Sequence, residues 1–157
     1  MKRILIVDDE PNIVMSLEYT FKKNNFEVFI ARDGQEALDI LKSQLPDVII
    51  LDVMMPMVDG YSTLEQIKKD ERLDNCKVIF LSAKNKEKDI EKGLSLGANL
   101  YITKPFSLKK LVEQAQELIK IHLPHPGILL SIQPRFRKTL WSFLYARAFA
   151  SYLRGVV

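Results

Sequence analysis

Leu45-Pro46-Asp47-Val48-Ile49-Ile50-Leu51-Asp52-Val53-Met54-Met55-Pro56-Met57-Val58-Asp59-Gly60 decides how the rest of the chain is read. Val48 to Leu51 form a short apolar run rich in β-branched residues. Pro46 and Asp47 bound it on one side, and Pro56, Asp59 and Gly60 on the other. Such a run reads as a buried strand that ends in a loop. Asp52 then stands at the carboxyl end of that strand, where an open parallel α/β sheet gathers its ligands. A second apolar run, Ile4 to Val7, leads into Asp8-Asp9. If the two strands are neighbours, three carboxylates share one pocket.

The flanking sequence supplies further strands and helices in strict alternation. Strands are predicted over 3–7, 26–30, 48–51, 77–81 and 100–102. Pro11 suits the first turn of a helix, with Asp9 or Glu10 placed to cap it. Ile13, Val14, Leu17 and Phe21 recur there at helical spacing, and Asn24-Asn25 ends the run. Asp33-Gly34 opens a second helix carrying Ala37, Leu38 and Leu41. Asp59-Gly60 reads as a turn and the start of a third helix, over 61–69. A fourth, over 86–96, stops at Gly97. Ser107 caps a fifth, whose apolar positions are Leu108, Leu111, Val112, Ala115, Leu118 and Ile119. Five strands alternating with five helices through short connections mean βαβ units and a parallel sheet covered on both faces.

Composition agrees with a globular protein: 47% of the 157 residues are apolar and 27% charged. The net charge of +3 is unevenly spread. From His122 onward there are five basic residues (Arg135, Arg137, Lys138, Arg147, Arg154) and no acid, which leaves 18 basic against 20 acidic residues in 1–121. The bulk charge of that larger part gives no reason to expect a nucleic-acid partner. Cys76 is the only cysteine, so no intramolecular disulfide forms, which fits a reducing cytoplasm. Asp8, Asp9 and Glu10 cut the first apolar run too short for a signal peptide. No stretch reaches the roughly 20 apolar residues that span a bilayer, so no membrane partner is expected.

Carboxylates crowded at strand ends need something positive between them. Two unit charges about 4 Å apart repel by about 4 kcal/mol at an effective dielectric of about 20. Hard oxygen ligands with no His or Cys nearby favour Mg²⁺ over zinc or copper. The fourth predicted strand ends in Ser82-Ala83, and the fifth runs into Thr103-Lys104-Pro105. A hydroxyl and an ammonium then converge on the rim that holds Asp52. Charge neutralisation and positioning around one carboxylate are what phosphoryl transfer requires of a protein.

Val7-Asp8-Asp9-Glu10-Pro11, the Leu51–Gly60 stretch, Leu81-Ser82-Ala83 and Tyr101-Ile102-Thr103-Lys104-Pro105-Phe106 resemble the receiver domains of two-component response regulators. The resemblance covers about residues 2–121 and implies a flavodoxin-like sheet of order 2-1-3-4-5. It implies that Asp52 accepts a phosphoryl group from a phosphohistidine on a sensor histidine kinase or phosphotransfer protein. Asp9 would bind Mg²⁺ directly, Asp8 largely through water, and the Met54 backbone carbonyl would be a further ligand. Lys104 would pair with the phosphoryl group and Ser82 would hydrogen-bond it. Tyr101 would be a switch aromatic that turns inward when Ser82 moves. In such domains the bond at Lys104-Pro105 is commonly cis, as only a following proline readily permits. The output would be a shift of the surface made by helix 4, strand 5 and helix 5, read by a downstream effector protein or an output domain.

Each residue also has an ordinary reading. Asp8 and Asp9 cap a helix, Asp52 forms a turn, Ser82 caps the helix after it, Lys104 is a solvated loop lysine and Tyr101 packs on an edge strand. Convergence on one rim disfavours those readings for Asp8, Asp9, Asp52 and Lys104, while both stay open for Tyr101. Met54, Met55 and Met57 read as an adaptable loop surface, and Cys76 as incidental. Two rival functions stand beside the switch. One is a Mg²⁺-dependent phosphohydrolase with Asp52 as nucleophile, although Met54 occupies the position where halo-acid-type phosphatases carry a general acid. The other is a receiver-like binding module that is never phosphorylated.

Many receivers dimerise through the helix 4–strand 5–helix 5 face. In the subfamily with winged-helix DNA-binding domains, acids and bases there form ion pairs. This chain has Asn99, Leu100, Lys110 and Gln114 at those positions, so a homodimer on this face would rest on apolar contacts. Residues 122–134 read as a linker, broken by Pro124, Pro126 and Gly127. Residues 135–157 read as a basic aromatic tail, possible as a helix, whose charged and aromatic residues do not separate onto two faces. Three readings compete for it: the start of a truncated output region, a small docking or membrane-surface element, or the product of a changed reading frame. The absence of acids, where composition arithmetic expects about 6, leans toward the last.

Overall fold

The computed structural model describes residues 1–120. The expected linker and basic aromatic tail lie outside the described residues. Five strands, β1 (Lys2–Val7), β2 (Phe26–Ala31), β3 (Val48–Leu51), β4 (Lys77–Ser82) and β5 (Leu100–Thr103), form one sheet of order β2-β1-β3-β4-β5. Every neighbouring pair is parallel. Four helices connect them, α1 (Pro11–Lys23), α2 (Gly34–Leu41), α3 (Gly60–Lys68) and α4 (Glu87–Ser95), and α5 (Leu108–Lys120) follows β5. This is the flavodoxin-like arrangement expected.

The core lies in two layers. On one face Leu5, Val7, Ile49, Leu51 and Phe80 pack under α2 and α3, through Ala37, Leu41, Leu64 and Ile67. On the other, Ile4, Ile6, Val48, Ile50 and Leu81 meet Leu17 and Phe21 of α1 and Leu111 and Ala115 of α5. The alternation follows from the two-residue period of a strand. All of β3 and the last four residues of β1 are buried. Each such side chain contributes about 1.5–3 kcal/mol by burial, against about 1 kcal/mol for a helix cap. The two central strands therefore hold the sheet, and the caps trim the helices around it.

One register line crosses all five strands: Ala31, Val7, Leu51, Phe80 and Tyr101. Asp8 and Asp52 come one residue later on neighbouring strands. The ladder also runs a step past the strands. The Asp52 N–H donates to the Val7 carbonyl (2.9 Å), Asp8 N–H to Ala31 (3.2 Å) and Lys104 N–H to Ser82 (2.8 Å). Backbone bonds of sheet quality thus fix three of the expected site residues.

Several local expectations need correction. Neither Asp9 nor Glu10 caps α1 with its side chain. Glu10 is the N-cap residue but makes no side-chain cap bond, and Asp8 Oδ1 instead accepts the Glu10 N–H at 2.9 Å. Ser82 does not cap α4: it closes β4, and the N-cap position is Lys86. Met55 is not loop surface, being 9% exposed within the core, while Met54 and Met57 are exposed as expected. A short 3-10 turn at Glu71–Leu73 precedes β4 and had no sequence signal. Cys76 is buried, and burial pushes its thiol up to about 12. Asp59 does cap α3, accepting the Ser62 N–H at 2.8 Å.

Candidate functional site

The carboxyl ends of β1, β3, β4 and β5 meet at one rim. Asp8 and Asp52 are buried there, and Ser82 is fully buried beside them. Lys104 reaches in from the end of β5. Its Nζ lies 2.9 Å from Asp8 Oδ2, 2.7 Å from Glu10 Oε1 and 3.4 Å from Asp52 Oδ2. The peptide bond from Lys104 to Pro105 is cis.

The remaining carboxylate oxygens are held by backbone. Asp8 Oδ1 accepts from Glu10 N–H, and Asp52 Oδ1 accepts from Met54 N–H at 3.1 Å. Burial nevertheless pushes both carboxyls above the ordinary aspartate range, against the pull of those N–H groups and of Lys104. Burial also works against charge on Lys104. There the hydrogen bonds to Glu10 and Asp8 and the charge of Asp52 win, and its ammonium is held more firmly protonated than usual. The rim thus keeps one ammonium in place and leaves two aspartates under-solvated.

Glycine makes the Asp52 corner possible. The Gly60 N–H donates to the Val53 carbonyl at 2.9 Å. A Cβ at residue 60 would collide with the Asp52 carbonyl oxygen. α3 therefore begins directly against the backbone that presents Asp52, and any larger residue there would displace it.

Ligand oxygens of Asp8, Glu10 and Asp52 lie within 4.8 Å of one another. Three carboxylates face one ammonium, and the donors are all hard oxygens. That excess of negative charge suits a small divalent cation that prefers oxygen. Asp9, expected as the direct metal ligand, is exposed and stands outside this group. Met54 meets the site through its N–H, and its side chain is exposed. Glu10 was missed by sequence reasoning. The available signal was its spacing from Asp8, since alternate residues of an extended segment face the same side and Glu10 has extended backbone angles.

Ser82 and Tyr101 meet at the backbone of one residue, Lys84, rather than at Asp52. Ser82 Oγ accepts the Lys84 N–H at 3.2 Å, and the Tyr101 hydroxyl donates to the Lys84 carbonyl at 2.9 Å. Tyr101 is buried, its ring 5.7 Å from that of Phe80. Tyr61 completes the row, 5.5 Å from Phe80, and donates its hydroxyl to the Asp89 carbonyl of α4 at 3.1 Å. The Lys92 ammonium sits 4.3 Å over the Tyr61 ring.

A doubly wound parallel sheet with buried aspartates and a lysine at its carboxyl rim defines a class of acidic-pocket α/β proteins. A family profile described as response regulator receiver domain matches residues 4–116, and the chain belongs to that family. It is similar to the receiver domain of Francisella response regulator 1452 (34% identity, TM-score 0.71, covering 76% of this chain and 98% of that one). It is also similar to the receiver domain of a sensor histidine kinase from Pseudomonas aeruginosa, solved with a magnesium ion coordinated in its active-site cleft (30% identity, TM-score 0.71, 76% and 98%). A third likeness is the chemotaxis protein CheY4 of Vibrio cholerae (28% identity, TM-score 0.71, 75% and 98%). The chain is thus a two-component receiver domain, and its family acts as phospho-acceptor regulators that work with histidine kinases and effector domains. Among the described residues, no helix is long and apolar enough to cross a membrane.

Proposed function

We propose that Asp52 is the phospho-acceptor. An Asp52 carboxylate oxygen attacks the phosphorus of a phosphohistidine on a sensor kinase or phosphotransfer protein. The new O–P bond forms as the P–N bond breaks, and the imidazole nitrogen leaves with the electron pair. The observation that carries this reading is the Lys104 ammonium, within 3.4 Å of both Asp52 and Asp8, with all three side chains largely withdrawn from water. Lys104 would take up charge on the transferred group, and desolvation would make that interaction stronger than in water.

Asp52, Asp8, Asp9 and the Met54 carbonyl would hold Mg²⁺. When bound, the ion neutralises carboxylate and phosphoryl charge and orients the attack. Ser82 would hydrogen-bond the phosphoryl group after releasing Lys84. Tyr101 would keep its inward place against the Lys84 carbonyl, biasing α4 and β5. The phosphoaspartate would be lost by slow hydrolysis within the domain rather than by turnover of external substrates. The reading includes a cytoplasmic location, and an effector or output domain as the reader of the α4–β5–α5 face.

The phosphohydrolase reading finds less support, because residue 54 offers the site a backbone N–H and no acid. Asp52→Asn should abolish Mg²⁺-dependent labelling by acetyl phosphate, seen as loss of the phosphoprotein mass. Undiminished labelling of that variant would sink the assignment.

A further inference from the structure

Lys104 has three N–H donors, and all three face carboxylates. The shortest contact, 2.7 Å, goes to Glu10 and the longest, 3.4 Å, to Asp52. We infer that Glu10 is a positioning residue that holds the Lys104 ammonium back from Asp52 until a phosphoryl group arrives. This rests on the reading of Asp52 as phospho-acceptor.

The three partners are not equally replaceable. Asp8 is 1% exposed at its side chain and its second oxygen is fixed by the Glu10 N–H. Taking Lys104 from Asp8 would leave a buried charge that water cannot reach and that only the Mg²⁺ ion could still balance, which is costly. The Glu10 side chain is 57% exposed, so its carboxylate regains water when the lysine departs. Donation to a phosphoryl oxygen on Asp52 therefore comes at the expense of Glu10. The Asp8–Glu10 backbone bond also fixes where Glu10 starts, so its reach to Lys104 depends on side-chain length.

Two substitutions separate this restraint from plain charge repulsion. Glu10→Gln removes the charge, while Glu10→Asp keeps it but falls short by one methylene. The full-length chain is titrated with beryllofluoride, a phosphoryl mimic, at saturating Mg²⁺, with the amide spectrum and calorimetry as readouts. Both variants should bind the mimic about two- to fivefold more tightly than the parent, in keeping with a partly exposed ion pair, at unchanged melting temperature. Tighter binding by Glu10→Gln alone would replace the restraint with a simple charge effect and overturn the inference. Unchanged affinity in both variants would overturn it too. Failure of the parent chain to bind the mimic with Mg²⁺ would instead remove the phospho-acceptor reading, and this inference with it.

Discussion

Gly93 of α4 lies flat against the ring of Tyr101: a Cβ on residue 93 would sit 2.8 Å from Tyr101 Cδ2 and 2.9 Å from Phe80 Cδ2. Gly93 is the only buried residue of α4. α4 is thus seated on the sheet through a side-chain-free position and an inward tyrosine.

Gly93→Ala tests that seat. In an isolated helix the change should stabilise by roughly 1 kcal/mol. Here overpacking should win, for a net loss of about 1–2 kcal/mol. Chemical denaturation would measure it, and the loss should shrink in a Tyr101→Leu background, where two of the three close contacts are gone. A stabilised Gly93→Ala variant would show that α4 is not seated in this way.

Asp52→Asn should make the protein more stable in the absence of divalent ions, on the order of 1 kcal/mol at neutral pH. Burial raises the Asp52 carboxyl above 3.8, so its charge opposes folding at neutral pH. An asparagine oxygen still accepts from Met54 N–H, and Lys104 keeps Asp8 and Glu10. As pH falls through the raised value toward about 3.8 the parent protonates and recovers the loss. The advantage of the variant should therefore shrink between pH 7 and pH 4. Mg²⁺ should stabilise the parent more than the variant. Thermal melts across that range check both signs, and a variant less stable than its parent at pH 7 would contradict them.

The fold was legible because its signals were local. The Val48–Leu51 run, the Asp59 cap and the positive φ of Gly97 each depend on neighbours in sequence. Asp8, Asp52 and Lys104 were legible because strand ends in a parallel sheet share a rim. Glu10 was masked by its place at the start of α1, where it reads as a cap, although its two-residue spacing from Asp8 turns it to the same side. Met55 could not be told from Met54 and Met57, because a loop without a period does not say which side chain turns inward. Gly93 reads in sequence as a weak helix residue, and only the Tyr101 and Phe80 rings explain its presence.

Met57 has φ of +67°, in the left-handed region, and its side chain is 88% exposed. For an L-residue with a Cβ that conformation costs about 1–2 kcal/mol, and an exposed thioether has no packing to offset it. Asn25, the other non-glycine residue in this region among those described, is of a type that tolerates it. Met57→Gly should relieve the strain, and the larger entropy of glycine in the unfolded chain should return part of the gain. The expected net is a stabilisation of about 0.5–1 kcal/mol in urea denaturation. Because the loop runs from Asp52 to the Asp59 cap, the same variant should bind Mg²⁺ with little change, as only the side chain and not the loop path is altered. A destabilised Met57→Gly variant would mean that this side chain makes contacts its exposure conceals.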